Sequence, residues 1–270
     1  MPNLETRDGP IHYRLIDLTP PWVEAPETVL FHHGIGTTGD IWAQWLPALS
    51  DRYRLLRFDL RGFGASKAAA RGFGWTLDAM YEDALAVADA AGVARFHMVG
   101  ESAGGTVALY AAATRPERLL SVCAVSCTHR GGPIRPVRAA WDEIGHTGLA
   151  AWSAEMMPKR FHAGAVPPEA YAWFEREQAA GDPQAVLAVA QLLVDTDLSE
   201  ALRGVRLPVL LLAPDGSPFV GAHITAEMQQ LIPGAELQVF AHARHGLALS
   251  HGRECAEAYR DFLARRAKAT

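Results

Sequence analysis

The residues whose types and spacing best suit chemistry form the pentapeptide Gly100-Glu101-Ser102-Ala103-Gly104. An apolar run at 96–99 precedes it and a helix-like run at 106–113 follows it, so the sequence predicts a tight turn from strand to helix. A serine at the tip of such a turn is strained and exposes its hydroxyl, while flanking glycines let strand and helix approach closely. The pattern therefore predicts a nucleophile, Ser102, with the backbone N–H of Ala103 as a donor to an oxyanion. Glu101 is expected to point into the turn as a structural hydrogen-bond partner.

A serine nucleophile needs a base that takes its proton, and His245 is the best-placed histidine. It follows the last strand-like segment, Glu236–Phe240, and precedes the last predicted helix at 252–266, so we expect it on a loop above the sheet. His242 is the less favoured alternative, and His251 is expected to begin the final helical region. An ordinary histidine pKa of about 6.5 predicts activity that rises with pH through neutrality.

A glycine-containing loop offers a second donor to an oxyanion. The loop comprises Phe31-His32-His33-Gly34-Ile35-Gly36 and continues from a strand-like run at Thr28–His32. At the end of that strand it can bring the N–H of Ile35 near Ser102, and each such donor is typically worth about 3 kcal/mol in the transition state. The alternative interpretation is that this loop has no catalytic role and is an ordinary turn after a strand.

The elements that must position these residues alternate between strand and helix up to about residue 128. This order produces a parallel sheet that is covered by helices on both faces. The predicted strands are Ile11–Ile16, Thr28–His32, Arg54–Phe58, 96–99, Leu119–Val125, 209–212 and Glu236–Phe240, and the predicted core helices include 40–49, 77–91 and 252–266. The chain is thus predicted to have an α/β fold with a mostly parallel central sheet.

The alternation breaks between residues 129 and 202, where only helix-like segments occur, at 134–144, 149–157, 168–178 and Pro183–Asp195. Open α/β sheets bind ligands at the carboxyl ends of their strands, so a helical insertion is best placed there as a cap. We therefore expect a core of residues 1–128 and 203–270 and a helical cap of residues 129–202. Trp141 and Trp152 are candidates for the wall of a substrate pocket, and Arg130 is a candidate for reading a substrate carboxylate.

The composition excludes several function classes. A net charge of −5 without a cluster of lysines and arginines argues against a nucleic-acid partner. Residues 1–8 contain no apolar stretch of a signal peptide, and no apolar run approaches the roughly 18 residues of a membrane helix. The three cysteines lack the spacing of metal ligands. We expect a cytoplasmic protein with a small-molecule substrate, no membrane partner, and a monomeric or small homo-oligomeric state.

Four motifs occur in the order and at the spacing of one known family. They are His33-Gly34-Ile35-Gly36, Asp59-x-Arg61-Gly62-x-Gly64-x-Ser66, Gly100-x-Ser102-x-Gly104 and the late His245. On these motifs the chain resembles the α/β-hydrolase fold family over essentially its whole length. Within that family it is most similar to 3-oxoadipate enol-lactonases, for instance in Leu46-Pro47-Ala48-Leu49 and Arg115-Pro116-Glu117-Arg118-Leu119.

The resemblance implies a hydrolase that cleaves a small carboxylic ester or lactone through an acyl-enzyme on Ser102. It implies no metal and no organic cofactor. Two other chemistries of the same scaffold are alternatives, namely hydrolysis of a carbon–carbon bond and cofactor-free peroxidation of the haloperoxidase type. A non-catalytic protein that binds a ligand on a hydrolase scaffold is an alternative of a different class, because function belongs to the site and not to the fold.

One departure from the family concerns the carboxylate that orients the histidine. When the run at 210–218 is aligned by its last proline, Ser217 stands where the family has an aspartate, and Asp215 stands two residues earlier. A second location that some members use, at 126–128, has no carboxylate. Asp215 is therefore the predicted acid. The alternatives are a weakened triad in which Ser217 or a water supports His245, or a carboxylate from elsewhere in space.

Overall fold

A single eight-stranded sheet forms the centre of the molecule. The computed structural model describes residues 3–66, 69–70, 72–131 and 137–267, with only the backbone at 137–143 and 267. The sheet has the order β1-β2-β4-β3-β5-β6-β7-β8, in which β1, β2 and β4 pair antiparallel and all other neighbours pair parallel. Its strands are β1 (Asn3–Leu4), β2 (Ile11–Ile16), β3 (Thr28–His32), β4 (Arg54–Phe58), β5 (Phe96–Glu101), β6 (Leu119–Val125), β7 (Val209–Pro214) and β8 (Glu236–Phe240).

The central strands are buried on both faces because they carry almost unbroken apolar runs. Every residue of β3, β5 and β7 is buried. Successive side chains point to opposite faces of a strand, so alternate residues enter two separate hydrophobic cores. One core receives Leu30, Met98, Val122 and Leu211, and the other receives Phe31, Val99, Cys123 and Leu210. The predicted parallel sheet with helices on both faces is confirmed.

The helices divide between these two cores. One face is covered by α2 (Leu77–Ala90) and α3 (Ala103–Thr114), and the other by α1 (Leu46–Leu49), α9 (Leu247–Ser250) and α10 (Gly252–Ala267). The continuous helix predicted at 40–49 is wrong. A 3₁₀ helix, Gly39–Gln44, precedes the short α1, because Pro47 has no N–H to extend an α-helical ladder backwards.

Four helices lie between β6 and β7, and we refer to them as the helical segment. They are α4 (Val137–Arg160), α5 (Pro168–Ala180), α6 (Pro183–Asp195) and α7 (Ser199–Leu202). Gly148, with φ of 81°, interrupts α4 at the gap between the two helices predicted at 134–144 and 149–157. Backbone hydrogen bonds join the two ends of the segment, with Gly131 donating to Thr196 (2.9 Å) and Leu198 donating to His129 (2.8 Å).

Three of the described α-helices were not predicted, namely the one-turn helices α7 and α9 and a longer helix between β7 and β8. The helix α8 (Ala222–Leu231) connects β7 to β8 and buries Ile224 and Met228. Together with Ile232, these two residues have the spacing of a helical face, which was the available signal. None of the described helices is both long and apolar enough to span a bilayer.

Candidate active site

Ser102 sits at a strained turn between β5 and α3. Its φ of 54° is in the left-handed region, which a serine rarely adopts, and its N–H donates to Val125 O (2.9 Å) on the neighbouring strand. A Cβ at Gly100 would lie 2.1 Å from Gly104 O, and a Cβ at Gly104 would lie 2.1 Å from His32 O. Only glycine fits at either position, so these two residues allow the close crossing that holds Ser102 at the tip.

His245 approaches Ser102 from the loop between β8 and α9. Its Nε2 lies 3.0 Å from the Ser102 Oγ, the residue is 5 % exposed, and the Phe219 ring packs against the imidazole in a T-shaped arrangement with the ring centres 5.0 Å apart. Burial lowers the His245 pKa to about 3, and the positive charge of Arg160 acts in the same direction. The ring is therefore neutral at neutral pH. The ordinary pKa of about 6.5 that the sequence predicts for His245 is wrong, because burial lowers it.

The two other candidate histidines have different partners. The His242 N–H donates to Asp215, and the His251 ring lies 2.9 Å from Ser250 Oγ. The structure thus brings His245 to Ser102 and places His242 and His251 elsewhere.

Asp215 does not contact His245, and the prediction that it orients the base is wrong for this geometry. It lies just beyond the end of β7, where its Oδ2 accepts from His242 N (3.0 Å) and its Oδ1 from Ala243 N (3.1 Å). These backbone donors hold the pKa of the Asp215 carboxyl below its usual value. The carboxylate is exposed, and its hydrogen bonds link the loop after β7 to the loop after β8.

Ser217 lies beside the His245 ring instead. Its Oγ lies 3.3 Å from His245 Nδ1 and also accepts from Phe219 N (3.3 Å) and Val220 N (3.1 Å). A hydroxyl has two lone pairs and one proton, so two accepted N–H groups leave the proton free to point at Nδ1. This arrangement favours the His245 tautomer that carries its proton on Nε2, facing Ser102. A carboxylate at the same place would favour the opposite tautomer.

The two expected oxyanion donors come from two separate segments, the loop after β3 and the first residue of α3. A Cβ on Gly34 would lie 2.8 Å from the Ser102 Cβ, so the loop that precedes Ile35 packs directly on the serine. Ala103 is the first residue of α3, where backbone N–H groups have no partner in the helix. Among the described residues, no backbone carbonyl in a turn or loop accepts the Ile35 N–H or the Ala103 N–H.

Two buried ionisable residues, Glu101 and Arg160, complete the surroundings of the serine. Glu101 is buried, and burial raises its pKa to about 7, although Arg160 and the Gly34 N–H act in the opposite direction. Arg160, the last residue of α4, donates from Nε to Gln178 (2.6 Å) and from Nη2 to the Ile35 carbonyl (3.1 Å). Arg160 was missed from the sequence, because a basic residue at a helix C-terminus is usually solvated.

The side chains of two of the three predicted pocket residues, Trp152 and Arg130, lie among the described residues. Trp152 is buried in the hydrophobic core together with Leu149 and Met156. Arg130 pairs with Glu227 of α8 (2.7 Å), which corrects its expected role in reading a substrate carboxylate. Trp141 lies in α4, but its side chain is outside the described residues. No group of side chains with the composition of a metal site occurs in the described part of the chain.

Comparisons with known proteins agree with this architecture. The family model described as the alpha/beta hydrolase fold matches residues 27–143. A protein of Caulobacter sp. (strain K31), provisionally named carbamate hydrolase RutD, is 28 % identical over 83 % of this chain and 85 % of its own length. The pimeloyl-[acyl-carrier protein] methyl ester esterase of Photobacterium profundum is also 28 % identical, over 86 % of this chain and 92 % of its own.

A solved structure shows the likeness in three dimensions. The enol-lactonase from Burkholderia xenovorans LB400 superposes with a TM-score of 0.88, covering 97 % of this chain and 100 % of that chain, at 22 % sequence identity. At that identity the likeness extends to the fold and does not establish the specificity of an enol-lactonase. The order of the strands, the strained serine turn and these likenesses together show that the chain has the α/β-hydrolase fold.

Proposed function

We propose that this protein is a serine hydrolase that cleaves a small carboxylic ester or lactone. The observation that carries the proposal is the 3.0 Å contact between Ser102 Oγ and His245 Nε2 at a strained strand-to-helix turn. A nucleophile and a base within hydrogen-bond reach are the minimum arrangement for covalent acyl transfer. The names of the relatives add support for hydrolysis of an acyl compound and extend the range of candidates to carbamates and methyl esters.

In the proposed reaction, Ser102 attacks the carbonyl carbon while His245 removes its proton. The N–H groups of Ile35 and Ala103 stabilise the oxyanion, and His245 then passes its proton to the leaving group. A water activated by His245 releases the acyl group and frees the serine. The helical segment, as the predicted cap of residues 129–202, would supply the substrate-facing walls.

The surroundings of His245 make the proton transfer demanding. Before attack, the ring must carry its proton on Nδ1, and Ser217 favours the other tautomer. During attack the ring becomes an imidazolium, which both burial and Arg160 disfavour. A neutral hydroxyl offsets that charge much less than a carboxylate does. We therefore expect slow turnover of simple esters relative to an enzyme with a carboxylate at this position.

A fluorophosphonate probe and an ester panel test this function. The probe should label wild-type protein at Ser102 and should fail to label Ser102→Ala, while the control Ser199→Ala, on α7, should be labelled like the wild type. Turnover of a nitrophenyl ester should fall at least about 10³-fold in Ser102→Ala and by a similar factor in His245→Ala, because the two residues act as a unit. Comparison of esters, lactones and carbamates would then rank the substrate classes.

Two results would count against the proposal. Labelling of another residue would move the nucleophile, and a wild-type protein that neither reacts with the probe nor turns over any acyl substrate would indicate a ligand-binding protein.

A further inference from the structure

Arg160 is a buried cation at the boundary between the helical segment and the sheet. It is 6 % exposed, and its guanidinium carbon lies 5.2 Å from the centre of the Phe174 ring. Its hydrogen bonds go to two carbonyl oxygens, those of Gln178 and Ile35. The buried Glu101 interacts with it electrostatically, but no described carboxylate lies within ion-pair distance of its guanidinium. Burial of an arginine that forms no direct ion pair is costly, and burial lowers the Arg160 pKa more than Glu101 raises it, so its position is poorly explained as a contribution to stability.

A chain of buried hydrogen bonds fixes the direction of this arginine. The Gln178 side chain is fully buried, receives Arg160 Nε at its oxygen, and donates from Nε2 to the backbone carbonyl and hydroxyl of Ser153 (3.2 and 3.0 Å). The Ser153 hydroxyl in turn donates to Glu175 O (2.9 Å). The chain joins α4 to α5 and leaves the Nη2 of Arg160 directed at the Ile35 carbonyl.

Gln178 also contacts the loop itself. Gly36 has φ of 78°, and a Cβ there would lie 2.7 Å from Gln178 Cγ. The peptide group between Ile35 and Gly36 is therefore held on both sides, by a charge-assisted hydrogen bond to its oxygen and by a side chain packed against its glycine. Both contacts come from the helical segment.

We infer that Arg160 is a positioning residue that keeps the loop at Ile35 in the orientation that serves an oxyanion. This inference rests on the proposed function. The proposed donor, the Ile35 N–H, belongs to the peptide group between Gly34 and Ile35, and the carbonyl that Arg160 binds belongs to the next peptide group along the loop. The oxygen of the first group lies 2.8 Å from His33 Nδ1, so the carbonyls on both sides of Ile35 have hydrogen-bond partners. By binding the Ile35 carbonyl, Arg160 restricts rotation about the Cα–C bond of Ile35 and so keeps the loop from moving its N–H away from the developing negative charge. The oxyanion site is then complete only while the helical segment is seated on the sheet.

The test compares Arg160→Met and Arg160→Lys with a matched control, Arg203→Met, which removes an exposed arginine from the end of α7. Each variant is assayed for kcat and KM on a neutral ester and on an ester that carries a carboxylate, for inhibition by a trifluoromethyl ketone that mimics the tetrahedral intermediate, and for thermal unfolding. In Arg160→Met, kcat should fall about 10²–10³-fold, the scale for losing one oxyanion donor, with KM changed less than about threefold. The inhibition constant of the ketone should rise by a similar factor.

The other variants separate positioning from charge. Arg160→Lys keeps the cation but lacks the fork that reaches Gln178 and Ile35 together, so it should recover only part of the lost kcat. Arg203→Met should match the wild type in all three assays. If Arg160→Met does not fold, Gln178→Met, which removes one anchor of the guanidinium and leaves the cation, replaces it in the same assays with the same expected direction.

Three outcomes would overturn the inference. The first is unchanged kcat and ketone affinity in folded Arg160→Met. The second is a KM increase confined to esters that carry a carboxylate, which would make Arg160 a binding site for an anionic substrate. The third is labelling of Arg160→Met by fluorophosphonate at the wild-type rate while wild-type protein is labelled at Ser102, in which case the proposed function stands and this inference alone fails.

Discussion

The hydroxyl of Ser217 stands beside Nδ1 of His245, where a carboxylate would offset the charge of an imidazolium. The same oxygen accepts the N–H groups of Phe219 and Val220 and so also shapes the turn that follows β7. An aspartate could accept both of these N–H groups and still face the ring. Position 217 therefore has the geometry that a carboxylate beside His245 would need, but the serine there carries no negative charge.

From this we predict that Ser217→Asp increases kcat on a neutral ester by about tenfold or more. Loss of such a carboxylate from a complete triad costs up to about 10⁴ in turnover, so its gain should be visible even with imperfect geometry. Asp215→Asn is the matched control. Since Asp215 binds only backbone N–H groups of the next loop, its kcat should stay within about threefold of the wild type. A folded Ser217→Asp that is slower than the wild type, or a loss above tenfold in Asp215→Asn, would contradict this view of the site.

The contact between Ser102 and His245 could be anticipated from the sequence, whereas the residue on the other side of the His245 ring could not. Ser102 is specified by local rules, because a glycine pattern between a strand and a helix determines where the turn places it. The neighbour of His245 depends on how two separate loops meet in space. A shift of two residues decides whether Asp215 or Ser217 faces the ring, and no local pattern records that shift. Arg160 was missed for a related reason, since its partners are 18 and 125 positions away.

Among the elements, the buried strands were the most predictable. The bounds of β2, β3, β4, β6 and β8 match the predicted runs, because apolar runs bounded by turns specify strands locally. The helix α6 also begins and ends as predicted, between Asp182, which caps it, and Thr196. The failures at 40–49 and at α8 lie where a proline or a short amphipathic run gives a weaker signal than burial against the sheet.

The place where the two ends of the helical segment meet provides a prediction about stability. A Cβ on Gly131 would lie 1.9 Å from the backbone oxygen of Val194. A backbone atom cannot move away from this clash as the end of a flexible side chain could. Gly131→Ala should therefore lower the free energy of unfolding by about 1–3 kcal/mol. Gly145, an exposed glycine within α4 with open space around it, is the control, and Gly145→Ala should raise that free energy by about 0.5–1 kcal/mol. Urea midpoints of the two variants check both signs, and equal midpoints would refute the clash at Gly131.

In the molecule as a whole, two buried groups beside the serine couple stability to pH with opposite signs. The Glu101 pKa is raised from 4.5 to about 7 in the folded protein, so the native state holds a proton that the unfolded chain has released between these values. Stability from this group is present at low pH and is lost as pH rises through that window. The His245 pKa is lowered from 6.5 to about 3, so its contribution is present above about 6.5 and is lost as pH falls.

Glu101→Gln should isolate the first of these two effects. The amide can still accept a hydrogen bond but carries no titrating proton, so the variant lacks the loss of stability between about pH 4.5 and pH 7. The free energy of unfolding of the variant, relative to the wild type, should therefore increase from pH 5 to pH 8. Urea unfolding at the two values measures this difference, and a difference that is constant with pH would show that Glu101 does not titrate in this range.

The hydrogen bonds between 129–131 and 196–198 have a consequence for how such a molecule can diversify. The chain leaves the sheet and returns to it at one spot, so the number of residues in between is not constrained by the distance between two strands. Insertions, deletions or replacement of this stretch can accumulate without displacing β6 or β7. The stretch between residues 131 and 196 can therefore change in length and sequence during evolution while the turn at Ser102 stays the same, although each new stretch loses the contact between Arg160 and Ile35 unless it supplies another.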